Sequence, residues 1–204
     1  MTNRIFVFSG HLGEDRLGHA LAEAYADAAR KAGAEVRVMN LSVMTFDAGL
    51  RSGDYKGGQG LEPDLVAFQE NLTWCTHWVP VYPLWWGGMP GPMKGMLDRT
   101  LLPGFAFQIV EGEELPAKLL KGRSARVLIT SDTASNYYDE LYNHAHDTVM
   151  GLQILDFVGF ENHSFRMFSP TYLSTEEERA AWIAEAAQLG EQDALAKQEE
   201  LAVA

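Results

Sequence analysis

Pro83-Leu84-Trp85-Trp86-Gly87-Gly88-Met89-Pro90 sets two indoles beside two glycines in a turn that follows the apolar run Trp78–Tyr82. Glycine lets backbone N–H and C=O groups approach a bound molecule, because no Cβ stands between them. Tryptophan offers a flat apolar wall at low conformational cost. Together they suit a planar ring with polar edges, such as a flavin; the same residues would also make an ordinary hydrophobic turn. Two further segments carry polar groups that could serve one ligand. Ser9-Gly10-His11-Leu12-Gly13-Glu14-Asp15-Arg16-Leu17-Gly18 leads into a helical period, whose N-terminal amides favour an anion. His11 and Arg16 would add hydrogen bonds and charge, while Glu14 and Asp15 oppose a phosphate. Thr130-Ser131-Asp132-Thr133-Ala134-Ser135-Asn136-Tyr137-Tyr138 is small and hydroxyl-rich, able to bond the polar edge of a heterocycle or to form a simple turn.

Each segment follows a predicted strand. Ile5–Phe8, Val36–Met39, Trp78–Tyr82, Arg126–Thr130 and Asn162–Phe168 read as strands alternating with helical periods, the pattern of a doubly wound parallel sheet. Leu17, Ala20, Leu21, Ala24, Tyr25 and Ala28 recur at helical spacing, and Gly33 stops that helix. Residues 42–60, with Gly49, Gly53, Gly57, Gly58 and Gly60, read as a long loop bordering the ligand. A short helix runs from Pro63 to Leu72, Pro92 opens another, and a further helix is predicted over Tyr138–Val158. Ser174-Thr175-Glu176-Glu177 reads as a capping box for the C-terminal helix. The expected architecture is α/β: one three-layer domain over residues 1–204, with five parallel strands in flavodoxin-like order 2-1-3-4-5. In such a sheet, the loops after the first, third and fourth strands converge at the carboxyl edge, where ligands bind.

Composition narrows the chemistry. At 204 residues and 47% hydrophobic content the chain can bury one sizeable core. The single cysteine, Cys75, excludes a disulfide framework and a cysteine metal cluster, and a lone buried thiol fits a reducing cytosol. A net charge of −12 argues against nucleic acid as partner. No run approaches membrane-spanning length and no signal-like stretch opens the sequence, so a cytoplasmic location without membrane association is expected. Nucleotide-binding glycine fingerprints and a nucleophile elbow are absent. His144-Ala145-His146-Asp147 is a poor metal site, since i and i+2 point to different sides of a helix.

Over almost its whole length the chain resembles the flavodoxin-like NAD(P)H:quinone oxidoreductases of diaphorase type. The likeness lies in the tryptophan turn, in Met93-Lys94-Gly95-Met96-Leu97-Asp98-Arg99, in Leu102-Pro103-Gly104-Phe105-Ala106-Phe107, in His11, and in Met39-Asn40-Leu41 through Met44-Thr45-Phe46-Asp47. The resemblance implies ping-pong two-electron transfer: reduced nicotinamide gives hydride to a flavin, and an acceptor, typically a quinone, takes its place. Carried over by position, His11, Leu17 and Gly18 would line the flavin phosphate or ribityl chain. Pro83, Leu84, Trp85, Trp86 and Gly87 would hold the ring, joined by Thr130, Ser131, Asp132 and Thr133. Tyr138 and His144 keep the six-residue spacing of the family's catalytic tyrosine and histidine, with Tyr137 and His146 as alternatives. The first loop lacks the family's hydroxyls, and the fourth lacks its glycine pair. Few hydroxyls and two carboxylates lean the cofactor toward FAD over FMN. A homodimer is implied as well. Other readings keep the flavin: reduction of nitro or azo compounds, or a regulatory flavin-binding subunit with little turnover.

Overall fold

Alternation along the strands decides which face each side chain covers. In the computed structural model, which describes residues 2–51 and 59–196, β1 (Arg4–Ser9) sends Ile5 and Val7 to one side of the sheet and Phe6 and Phe8 to the other. β2 (Glu35–Asn40), β3 (His77–Pro83), β6 (Arg123–Thr130) and β7 (Phe160–Phe168) complete a parallel sheet of order β2-β1-β3-β6-β7. The remaining strands, β4 (Phe107–Gln108) and β5 (Ala117–Lys118), form a separate antiparallel hairpin. With that hairpin set aside, the order is the expected 2-1-3-4-5. β3 is buried at every position, as a central parallel strand must be. Its ladder to β6 runs through His77↔Ser124 and Trp78↔Ala125 and resumes at Val81↔Leu128; Pro80, which has no N–H, sits in the gap.

Helices α1 (Leu17–Lys31) and α5 (Glu176–Leu195) cover the face carrying Ile5, Val7, Val79 and Val81. They touch backbone to backbone at Gly190, where a Cβ would lie 2.2 Å from the Tyr25 carbonyl oxygen. Helices α2 (Pro63–Trp74) and α3 (Gly91–Thr100) cover the opposite face, where Phe6, Phe8, Phe68, Trp78 and Tyr82 pack with Met93 and Met96. Arg99, 1% exposed, reaches from α3 to the Asp47 and Gly60 carbonyls and to Glu62, and so fixes both ends of the long loop. Gly53, Gly57 and Gly58 of that loop lie outside the described residues. No helix among the described residues is long and apolar enough to cross a membrane.

Two predicted elements differ in detail. The capping box sits one residue later: Thr175 Oγ1 accepts from the Glu178 amide at 3.1 Å, and Glu178 accepts from the Thr175 amide at 2.7 Å. Ser174 instead donates its hydroxyl to the Thr171 carbonyl, closing the preceding turn. Thr175→Ala should lower stability by about 1 kcal/mol, read as a shift of the urea midpoint with unchanged slope. The predicted helix over Tyr138–Val158 is broken. Two π-helical segments, Tyr137–Leu141 and Val149–Asp156, flank the single turn α4 (Ala145–Thr148). Asn143 and His144 between them have φ of 47° and 50°, values that no right-handed helix accepts.

Candidate active site

The carboxyl ends of β1, β3 and β6 bring the three loops together. Gly10 donates its N–H to the Val81 carbonyl at 2.7 Å, and a Cβ there would meet Met93 Sδ at 2.6 Å. A larger residue there would have to displace Met93 and crowd Tyr82 Cβ, which would lie 3.0 Å away. Beyond it, Gly13 N–H donates to His11 Nδ1 at 3.0 Å, which leaves the His11 proton on Nε2. Burial, then the charges of His19 and Arg16, hold the His11 imidazole below its ordinary pKa and therefore neutral. His19 pins the same loop, bonding Ser9 Oγ at 2.7 Å and the Gly13 carbonyl at 2.6 Å. Arg16 occupies the N-cap of α1 in extended conformation, and its side chain caps nothing. First-turn amides have no intrahelical partner, so those of Leu17 and Gly18 are left for an outside acceptor.

Those amides open onto a cleft of about 300 Å³. His11, Arg16, Leu17 and Gly18 form one side of it. Pro83, Leu84 and Trp85 form a second, and Thr130, Ser131, Asp132 and Thr171 close it. Leu84 is fixed by its N–H to the Thr130 carbonyl at 2.8 Å. Thr133 N–H donates to Ser131 Oγ at 3.0 Å, which shapes the fourth loop. Asp132 accepts from the Thr171 hydroxyl at 2.5 Å and the Tyr172 amide at 2.7 Å, so its carboxylate anchors the loop after β7. Leu84 also lines a second cavity of about 630 Å³, walled by Trp86, Gly87, Thr133, Tyr138, Tyr142 and His146.

The tryptophan turn is a type I′ hairpin tip. Trp85 and Gly88 exchange N–H···O=C bonds of 2.8 and 3.0 Å, and Trp86 and Gly87 between them have φ of 52° and 74°. Trp85 stands edge-on to His11, with ring centroids 5.8 Å apart. Trp86 is thrown outward and is fully exposed along its whole indole. Behind the cavity, Tyr82 and His146 share a 2.7 Å hydrogen bond. Burial keeps His146 neutral, against the opposing pull of Asp147 and the Gly87 carbonyl.

The structure thus brings His11, Leu17, Gly18, Pro83, Leu84, Trp85 and Thr130 to Asp132 into one cleft, and Trp86, Gly87, Thr133 and Tyr138 into the cavity beside it. His144 lies outside the cavity lining, edge-on to Tyr138 with centroids 5.1 Å apart; His146 lines it. Tyr137 is exposed. Thr171 and Tyr142 are not singled out in the sequence, and Asp147 is named there only in the string set aside as a metal site. Asp147 alone carried a signal, standing three residues after His144.

A family profile described as flavodoxin-like fold matches residues 3–192. An uncharacterized NAD(P)H oxidoreductase of Haemophilus influenzae is 28% identical over 193 residues, 91% of this chain and 93% of that protein. FMN-dependent NADH:quinone oxidoreductase of Ruegeria pomeroyi is 23% identical over 190 residues, 86% and 93% of the two chains. NAD(P)H dehydrogenase [quinone] 1 of Rattus norvegicus is 29% identical over 124 residues, 51% of this chain, which spans only 45% of that relative. Among solved structures, an NAD(P)H:quinone oxidoreductase from Methanothermobacter marburgensis superposes with a TM-score of 0.76 at 20% identity, covering 94% of this chain and 96% of that one; it shows the same fold.

Proposed function

This chain belongs to the flavodoxin-like fold family, and on that premise we propose that it is a flavin-dependent oxidoreductase that oxidises NADH or NADPH and reduces a planar acceptor such as a quinone. One observation carries the reading: the cleft beside the free α1 amides and the aromatic-walled cavity meet at Leu84, on the ligand-binding edge of the sheet. The donor set fits a flavin. Uncapped first-turn amides and the helix dipole suit a phosphate, and the shared wall at Leu84 suits a flat ring that spans both spaces. The flavin would supply the hydride chemistry.

The protein's own residues bind and orient. In this reading the Leu17 and Gly18 amides, with neutral His11 donating from Nε2, hold the phosphate end. Pro83, Leu84 and Trp85 support the ring, and Thr130, Ser131, Asp132 and Thr133 line its polar edge through their backbone and hydroxyls. Trp86, Gly87 and Tyr138 bound the space where nicotinamide and acceptor bind in turn, and His144 acts beside Tyr138. A ping-pong order follows from one cavity serving two planar ligands. Leu141, Tyr142 and Trp86 line the cavity and stand exposed, where a second subunit of a homodimer would cover them.

The cleft continues past Arg16 and Leu17 into a groove of about 780 Å³ that also meets Asn40, Val43, Arg179 and Ile183. That extra length favours FAD, whose adenosine half needs it; the Ruegeria relative is named for FMN. The purified protein should be yellow, release FAD on denaturation, and turn over reduced nicotinamide with a benzoquinone. Release of FMN would overturn the dinucleotide assignment alone. Material that stays colourless after soaking in both flavins would overturn the function.

A further inference from the structure

One carboxylate joins Tyr138, at the cavity wall, to His144 beside it. Tyr138 Oη donates to Asp147 Oδ1 at 2.6 Å, and His144 Nδ1 lies 3.0 Å from Asp147 Oδ2. Tyr138 is 4% exposed and lines the cavity, whereas His144 is outside it; the two rings touch edge to face. The left-handed backbone at His144 turns the chain so that residues 138, 144 and 147 converge. We infer that Asp147 is the positioning residue of this site, holding the Tyr138 hydroxyl and the His144 ring as one hydrogen-bonded unit at the cavity wall. This rests on the flavin-oxidoreductase reading above.

The bond also sets a direction. A phenol has one hydrogen, and here it goes to Asp147, so toward a ligand the Tyr138 oxygen can only accept. The wall therefore offers an acceptor to an O–H or N–H of the bound ring, as on a reduced quinone. The charged and titratable groups around the unit are few. Asp139 lies 3.3 Å from His144 Nε2, and the neutral Tyr82–His146 pair packs behind. Burial first, then the hydrogen bond and charge of Asp147, hold the Tyr138 phenol above its ordinary pKa.

The test uses the full-length protein as wild type, Tyr138→Phe, Asp147→Asn, Asp147→Glu and the Tyr138→Phe/Asp147→Asn double variant. Ultraviolet titration, with Tyr138→Phe as the blank, isolates ionisation of this one phenol and needs no flavin. With Asp147→Asn the Tyr138 step should move to lower pH. Saturating turnover should fall about tenfold, as expected for loss of a charge-assisted bond, while acceptor KM stays within about twofold. Asp147→Glu should recover part of the rate, and Asp147→Asn should add nothing once Tyr138 is Phe. An unmoved phenol step, unchanged turnover, or multiplying effects in the double variant would overturn the positioning role. An active wild type with such results leaves the functional reading standing. A wild type that takes up no flavin ends that reading, and the positioning role with it.

Discussion

Asp193→Asn should cost the fold about 3–5 kcal/mol, as does breaking a buried ion pair from one side. Asp193 is 4% exposed on α5 and sits beneath the amino edge of the sheet, far from the ligand edge. Its Oδ2 accepts from the Tyr25 hydroxyl at 2.5 Å and from Arg126 Nε at 2.6 Å, and its Oδ1 accepts from Arg126 Nη2 at 2.8 Å. His77 Nε2 lies 3.3 Å away, within ion-pair range though without hydrogen-bond alignment. Removing the charge leaves the Arg126 guanidinium and the Tyr25 hydroxyl without their counterpart. Urea unfolding at neutral pH reads the loss, and a difference under about 1 kcal/mol would refute it. Replacing all three partners with apolar residues, Asp193→Leu with Arg126→Met and Tyr25→Phe, should return much of the stability.

The same group sets an acid limit. Burial alone would raise the Asp193 pKa, but the two Arg126 hydrogen bonds, the close approach of His77 and the Arg126 charge outweigh it and hold the carboxyl far below the usual range. A folded-state pKa below the unfolded value means that the stabilisation is complete above the unfolded pKa of about 3.9 and drains away as pH falls below it. The gap between wild type and Asp193→Asn should therefore be widest at neutral pH and narrow on acidification below about pH 4. Arg179 and Ile183, which line the extended groove, ride on the helix that this cluster fastens.

The sheet was legible because β1, β3 and β6 hold short apolar runs with turn residues after them, and β3 is apolar enough to be read as central. Placing the three loops followed from strand order alone. Residues 138–158 were misread because their apolar spacing continues through Asn143 and His144 with no glycine or proline to mark the break. Asparagine tolerates a left-handed backbone, and that tolerance leaves no pattern in one sequence. The β4–β5 hairpin was invisible for another reason: strands of two residues are too short to show a period. In Ser174-Thr175-Glu176-Glu177-Glu178, two registers satisfy the capping pattern, and only the path of the chain chooses between them. The role of Asp147 is equally silent in the sequence. Setting the His-x-His-Asp string aside as a metal site leaves Asp147 with no role in the sequence; in the fold its partners are a phenol nine residues back and an imidazole three residues back.

Trp86→Asn is expected to make the protein more stable and a poorer catalyst. The first central position of a type I′ turn requires positive φ, and Trp86 holds 52° there with its indole wholly in solvent. A bulky residue in that region carries about 1–3 kcal/mol of backbone strain, and this one recovers none of it through contacts inside the chain. Asparagine before Gly87 gives the pair that type I′ turns favour most, so the denaturation midpoint should rise by the equivalent of about 1 kcal/mol. Such strain persists where the side chain has work outside its own fold. Trp86 borders the aromatic-walled cavity, and loss of a stacking face is worth about 1–3 kcal/mol per planar ring. Acceptor KM should therefore rise about 5- to 150-fold, while the flavin phosphate end stays held because its cleft does not include this residue. A lower midpoint would show that the indole supports the monomer after all. An unchanged KM with a fall in solution mass would assign the indole to a second copy of the chain, and the stacking role would be lost.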